Sequence, residues 1–169
     1  MKDPFRIFLL GFMGSGKSFW GKRWAEKHQL TFYDLDQIIQ EIEGTSINEI
    51  FSVKGEEYFR TVESRALKTF AFQDNFILAC GGGTPCFYDN MDWMNAHGIT
   101  VYLNTTPETI VERLASDSAH RPLIKQMDKK DIIDYTKESM ARRVTYYLRS
   151  ALIIPEEKQN DTSLSILNI

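Results

Sequence analysis

Along the chain, short unbroken apolar runs alternate with longer stretches of helical spacing. Arg6 to Leu10 is such a run, closing at Gly11, and predicts a strand buried on both faces. Lys17 to His28 follows as a helix, with Trp20 and Trp24 four positions apart. Thr31 to Tyr33 predicts a second short strand, ending at Asp34. Ile38, Ile39 and Ile42 mark a short helix that Gly44 stops. Ser46-Ile47-Asn48-Glu49 has the capping-box form and opens a helix carrying Ile47, Ile50 and Phe51. A further helix is predicted from about Gly55 to Phe72, with Phe59, Val62, Ala66 and Phe70 on one face. Phe76 to Cys80 and Ile99 to Leu103 predict two more strands, the first cut short by Gly81-Gly82-Gly83. Thr106 before Pro107 is an N-cap with proline at the first helical position, opening a helix with Ile110, Val111 and Leu114. The polar stretch Ser116 to Arg121 follows. A long helix is then predicted from about Lys130 to Ser150, carrying Ile133, Met140, Val144 and Tyr147, and Ala151 to Ile154 is a last strand.

Strands alternating with helices predict an α/β fold with a parallel central sheet. Ligands of such sheets bind at the carboxyl ends of the strands, so chemistry is sought in the polar residues that follow each strand. A length of 169 residues with no repeat and no linker-like stretch predicts one domain. The net charge of −3 gives no general reason to bind nucleic acid or an anionic membrane. Cys80 and Cys86 are too few for a disulfide scaffold and predict partly buried thiols in a reducing compartment. The first apolar run, Ile7 to Leu10, is too short for a secretory signal, and the absence of an address predicts the cytoplasm.

The first strand runs into Gly11-Phe12-Met13-Gly14-Ser15-Gly16-Lys17-Ser18, a full match to G-x-x-x-x-G-K-[ST] between a strand and a helix. Glycines let the backbone curl so that successive N–H groups face phosphate oxygens, and the helix N-terminus adds partial positive charge. Gly14, Ser15, Gly16, Lys17, Ser18 and Phe19 are the candidate nucleotide-binding residues. Lys17 would reach the β- and γ-phosphates, and Ser18 would ligate Mg²⁺.

Asp34-Leu35-Asp36 ends the second strand. In extended backbone, positions two apart point the same way, which would aim both carboxylates at the phosphate site. One carboxylate near Mg²⁺ and one near an acceptor hydroxyl is what phosphoryl transfer requires. The alternative is a turn in which Asp36 merely caps the Ile38 helix. Arg60 and Arg143 each stand beside an apolar helix face, where a solvated surface arginine is the plain reading. Three successive glycines at a strand end suit a ligand that touches backbone, or else a tight turn. Arg121 lies in a polar loop that could act as a mobile lid and neutralise the transferring phosphoryl group.

Together these residues resemble the shikimate kinase family, from the P-loop to about Tyr147. The most specific stretch is Gly44-Thr45-Ser46-Ile47-Asn48-Glu49-Ile50-Phe51, followed by Gly55-Glu56-Glu57-Tyr58-Phe59-Arg60 and Glu63. The resemblance implies a P-loop, nucleoside-monophosphate-kinase-like α/β/α sandwich on a five-stranded parallel sheet. It implies ATP-dependent phosphorylation of the 3-hydroxyl of shikimate, on the way to chorismate and the aromatic amino acids. By the same resemblance, Asp36 would assist proton removal from that hydroxyl and Asp34 would hold Mg²⁺. Arg60, Arg143 and the Gly82 backbone would bind shikimate, and Lys17, Asp36 and Arg121 would be catalytic. Arg113 would lie near the adenine. A shikimate-binding segment is expected at about 36–62 and a lid at about 115–128, in a monomer with no nucleic-acid or membrane partner. Phe19 and Thr145 depart from the family pattern, which often has threonine and proline there. Two rival readings are a kinase for another small acceptor, such as gluconate or a nucleotide, and a nucleotide-gated switch. The chain has no Asn-Lys-x-Asp guanine motif for the latter.

Overall fold

The computed structural model describes residues 4–116 and 128–167. Five strands form one sheet: β1 (Arg6–Leu10), β2 (Thr31–Asp34), β3 (Phe76–Ala79), β4 (Ile99–Asn104) and β5 (Leu152–Pro155). Their order is β2-β3-β1-β4-β5, and every neighbouring pair is parallel. Among the described residues, six helices accompany them: α1 (Lys17–His28), α2 (Leu35–Glu43), α3 (Ile47–Lys68), α4 (Asn90–His97), α5 (Pro107–Ser116) and α6 (Lys129–Tyr147).

The strand at the centre explains the layering. In β1, Phe8 and Leu10 face one side and Ile7 and Leu9 the other, as the two-residue strand period demands, and all four are fully buried. Phe8 and Leu10 join a core with Leu35, Phe59, Leu67 and Tyr147. Ile7 and Leu9 join a second core with Trp24, Val101, Leu103 and Leu164. Phe12, just past β1, joins a third with Ile110, Leu114 and Ile132, between α5 and α6. Trp24 also ties the C-terminal tail to α1, because its Nε1 donates to the Asn160 carbonyl at 2.8 Å. Beside it, Arg23 pairs with Asp161 through two bonds of 2.7 Å.

The expected elements are present, with differences in extent and one addition. The helix predicted from Ser46 and the one predicted from Gly55 are merged into α3, which is kinked where Gly55 takes φ 83° and ψ 170°. No Cβ would clash at that point, so the kink comes from the glycine backbone alone. Residues 69–72 then tighten to a 3-10 turn rather than continuing the helix. The helix expected to reach Ser150 ends at Tyr147. Helix α4 has no counterpart in the sequence-based expectation. Its buried face includes Asn90, held by Ser64 Oγ at 2.7 Å and donating to the Thr84 carbonyl at 2.9 Å, so hydrophobic periodicity could not reveal it. The capping box at Ser46 is half-formed: Ser46 Oγ accepts from the Glu49 N–H at 3.2 Å, while the Glu49 carboxylate accepts from Thr45 Oγ1.

Among the described residues, no helix is long and apolar enough to cross a membrane. Arg121 and the rest of 117–127, where the lid is expected, lie outside the described residues.

Candidate active site

The strand order creates the site. Successive connections from β1 lead to one side of it, through β2 and β3, and then to the other, through β4, so a crevice opens at the carboxyl end of β1. The P-loop fills that end. Gly16 takes φ +97°, a left-handed conformation open to glycine at little cost, and α1 begins at the next residue. Ser15 is buried beneath the loop, and its carbonyl accepts from Thr105 Oγ1 at 3.0 Å, which anchors the loop to the end of β4. The Lys17 ammonium donates to the Gly11 and Phe12 carbonyls, at 2.7 and 2.9 Å. A cavity of about 630 Å³ lies over the loop, and Lys17, Ser18, Asp34, Asp36, Gly82 and Arg113 are among its walls.

The two aspartates both line this cavity, but not by the geometry that an extended strand would give. Asp34 closes β2 and is itself the N-cap of α2, its Oδ1 accepting from the Asp36 N–H at 3.1 Å and from that of Gln37 at 3.4 Å. Asp36 lies one residue into α2 rather than capping it. The helical turn, not the strand period, therefore brings the pair together. The free oxygen of Asp34, Oδ2, accepts from Ser18 Oγ at 3.1 Å. Asp36 is pushed up to about 6, first by burial, then by the charges of Asp34 and Glu63, against the opposing pull of Lys17 and Arg60.

Of the two arginines whose plain reading is a surface position, Arg60 is buried and Arg143 is half-buried. Arg60 is 8% exposed. Its Nη1 donates to Glu63 Oε2 at 2.9 Å, and its Nε and Nη2 both reach Glu56 Oε1, at 3.2 and 3.1 Å. The guanidinium lies 4.1 Å from the Phe87 ring centroid and 5.0 Å from that of Phe59. Glu63 is fully buried and accepts from Thr84 Oγ1 at 2.6 Å, joining α3 to the turn after the triple glycine. Arg143 comes in from α6 over the Phe12 ring, 5.3 Å from its centroid. Next to it, Tyr147 donates its hydroxyl to the Gly82 carbonyl at 2.6 Å, and burial pushes that phenol up.

Both arginines converge on the triple glycine. A Cβ on Gly82 would stand 3.1 Å from Arg143 Nη1, and one on Gly83 only 2.7 Å from Arg60 Nη2. A Cβ on Gly81 would lie 3.0 Å from Glu63 Oε1 and 3.3 Å from Asp36 Oδ1. The glycines thus let two guanidinium groups and Asp36 approach the turn more closely than a side chain there would allow. Gly83 has an ordinary φ of −93°, so space, not backbone conformation, is the reason for glycine there. Arg142, the neighbour that sequence alone could not separate from Arg143, points elsewhere: its Nη2 donates to Ser139 Oγ at 3.1 Å.

A P-loop and a buried carboxylate on one cavity, beside a glycine turn that two arginines approach, is a pattern that can be compared with known proteins. The family model described as shikimate kinase matches residues 13–168. The chain belongs to the shikimate kinase family. Shikimate kinase from Azobacteroides pseudotrichonymphae is 40% identical over 149 residues, covering 88% of each chain. The 1.7 Å crystal structure of shikimate kinase from Bacteroides thetaiotaomicron superposes with a TM-score of 0.92 at 33% identity, over 98% of this chain and 99% of that one. Shikimate kinase from Acinetobacter baumannii in complex with shikimate superposes with a TM-score of 0.84 at 29% identity, over 98% and 93% of the two chains. The α/β class with a parallel sheet, expected from the strand–helix alternation, and the five-stranded nucleoside-monophosphate-kinase-like sandwich, implied by the resemblance, are the fold observed.

Several site residues went unread in the sequence. Glu63 was present in the family-like run but carried no assigned role, although an acidic residue three positions after Arg60 on a helix is a readable ion-pair signal. Thr84, Phe87 and Tyr147 reach the site only through the fold and had no local signal. Cys80 is fully buried, and burial pushes its thiol well up; Cys86 is partly buried, and its thiol is also raised by burial. Cys86 is partly buried as expected, while Cys80 is buried more fully than expected.

Proposed function

We propose that this protein transfers the γ-phosphate of ATP to the 3-hydroxyl of shikimate through the residues gathered at the carboxyl end of its sheet. The observation that carries the reading is the single cavity joining the P-loop to Asp36 and to the glycine turn, on which Arg60 and Arg143 converge. A cyclic alcohol bearing one carboxylate fits this pairing. Planar guanidinium groups grip a carboxylate at one end, and a carboxylate base waits at the other.

The acceptor would lie over Gly81 to Gly83, its carboxylate between Arg60 and Arg143 and its reacting hydroxyl at Asp36. Glu63 holds Arg60 in place from behind and is a positioning residue. As the hydroxyl oxygen attacks the γ-phosphorus, Asp36 takes its proton and the bond from that phosphorus to the ADP oxygen breaks. Lys17 and the backbone N–H groups of 14–18 would hold the phosphates. Ser18 Oγ and Asp34 Oδ2 offer paired hard oxygens next to the loop, which suits Mg²⁺, a cation usually held by one or two protein oxygens together with substrate phosphates. Among the described residues, no cluster of three or more acidic, His or Cys side chains would cage a metal alone, which fits the same arrangement. When bound, Mg²⁺ would offset negative charge on the phosphate oxygens.

Residues 36–62 would be the acceptor-binding segment of a single P-loop domain, and 115–128, with Arg121, its lid. We also read the protein as a monomer that acts in the cytoplasm.

A coupled ADP-release assay with Mg-ATP tests the reading. Turnover is expected with shikimate and not with gluconate, a nucleoside monophosphate or no acceptor. Turnover with one of the others would keep the P-loop chemistry and overturn the acceptor. Gly83→Ala gives a finer test, because the backbone there tolerates alanine while the new methyl meets Arg60 Nη1 at 2.8 Å and Nη2 at 2.7 Å. The KM for shikimate is expected to rise about tenfold, the weight of one charge-assisted hydrogen bond, with the KM for ATP unmoved. Equal changes in the two constants would separate Gly83 from the acceptor pocket.

A further inference from the structure

The cavity is also lined by an aromatic surface that the P-loop itself does not require. Phe19 and Trp20, in the first turn of α1, both line it, together with Arg113 of α5. Phe19 is 57% exposed, high for a phenylalanine. Trp20 is partly buried, and it is rigidly supported. Its ring stacks on the fully buried Trp24 at 5.7 Å and 21°, and Phe19 meets it edge-on at 5.0 Å. Trp24 is in turn fixed by its bond to the Asn160 carbonyl. From outside, the Arg23 guanidinium lies 5.6 Å from the Phe19 ring and is held by Asp161.

Two measurements aim this surface at the nucleotide. A Cβ on Gly16 would lie 3.2 Å from Trp20 Cδ1 and 3.6 Å from Arg113 Nη1. The indole and the guanidinium therefore close on the same point of the loop. Arg113 is held there by its bond to the Gly14 carbonyl, at 2.9 Å. With the phosphates on the loop and the acceptor over Gly82, the nucleoside of ATP has to leave the loop on the side of Trp20 and Arg113.

We propose that Trp20, backed by Trp24 and edged by Phe19, is a nucleoside-binding residue that packs its indole against the base of ATP. This rests on the reading of the loop as an ATP site but not on the choice of acceptor. An aromatic face accepts any base, so the contact supplies affinity and a fixed base position more than discrimination between bases.

Tryptophan fluorescence and calorimetry with ADP, in the absence of any acceptor, test this on the full-length protein. The chain has three tryptophans, Trp20, Trp24 and Trp93. ADP is expected to change the emission of the wild type and to leave that of Trp20→Phe unchanged. Trp20→Leu is expected to weaken ADP about tenfold, the weight of one base–aromatic stack, and Trp20→Phe to restore most of that affinity. Inorganic tripolyphosphate, which has no base, should bind Trp20→Leu and wild type alike. Loss of tripolyphosphate affinity equal to that for ADP would show a disturbed loop and overturn the stacking contact. Unaltered ADP affinity in Trp20→Leu would overturn it as well. Because no acceptor is present, a failure of the shikimate reading would leave these results untouched.

Discussion

Asp36→Asn is expected to lower kcat by about 10²–10⁴-fold, the usual weight of a general base, while ATP affinity is retained. The amide keeps the shape of the carboxylate but cannot take the proton from the attacking hydroxyl. In the proposed role of a base, Asp36 would work in its ionised form. Its ordinary value of 3.8 is raised to about 6, so wild-type kcat/KM is expected to fall as pH drops through about 6. In Asp36→Asn that acid limb should vanish from the residual rate. The same shift makes a statement about stability. The folded state binds this proton more tightly than the unfolded chain does, so the ionised group costs stability above pH 6, and the cost is gone below 3.8. The rise from 3.8 to about 6 sets its ceiling at about 3 kcal/mol. Asp36→Asn is therefore expected to unfold at higher denaturant concentration than wild type at pH 7, with the gap closing towards pH 4. Unchanged kcat would remove Asp36 from proton transfer. A less stable variant at pH 7 would contradict the burial argument. A residue that is costly to the fold and needed by the reaction is the trade-off expected where stability and activity compete.

Arg60→Lys should raise the KM for shikimate by about 10–100-fold and leave the KM for ATP alone. That range is what losing one or two charge-assisted hydrogen bonds implies. Lysine retains the charge but not the planar fork that spans a carboxylate. It can still pair with the fully buried Glu63, so the fold should hold. Arg60→Ala is the poorer probe. It would strand Glu63 as a buried, half-compensated charge, at a cost of about 3–5 kcal/mol, and confound binding with unfolding. Steady-state KM for both substrates, with a thermal melt of each variant, separates the two effects. Parallel rises in both KM values would show that Arg60 supports the whole site rather than the acid alone.

How much of this could be read from the chain depended on the range over which each signal acts. The P-loop is eight consecutive residues between a strand and a helix, so its motif and its place in the fold are legible in the chain. Asp34 and Asp36 line one cavity, as the sequence suggests, but the helical turn rather than the strand period brings them there. A strand period was assumed where Asp34 ends the strand and caps the helix. That error is local, a helix start placed too late, and the cap signal at Asp34 was available. Arg60 and Arg143 are different in kind. Each stood beside an apolar helix face, where spacing alone favours a solvated side chain. Their convergence on Gly82 and Gly83 depends on α3 and α6 packing against the end of β3. Helix α4 stayed hidden because its buried side includes Asn90, whose polar atoms are satisfied by Ser64 and Thr84 from elsewhere in the chain.

The sequence by itself determined the elements, the parallel α/β class and the phosphate loop, because period, caps and glycine spacing act over a few residues. Only the tertiary structure decided which charged groups share a site. It placed β3 beside β1, which set the triple glycine next to the P-loop, and it buried Glu63 behind Arg60. It also turned Trp20 and Arg113 onto one glycine from two helices far apart in the chain. Such contacts join residues tens of positions apart, and their energy comes from burial and charge pairing that exist only once the sheet has assembled.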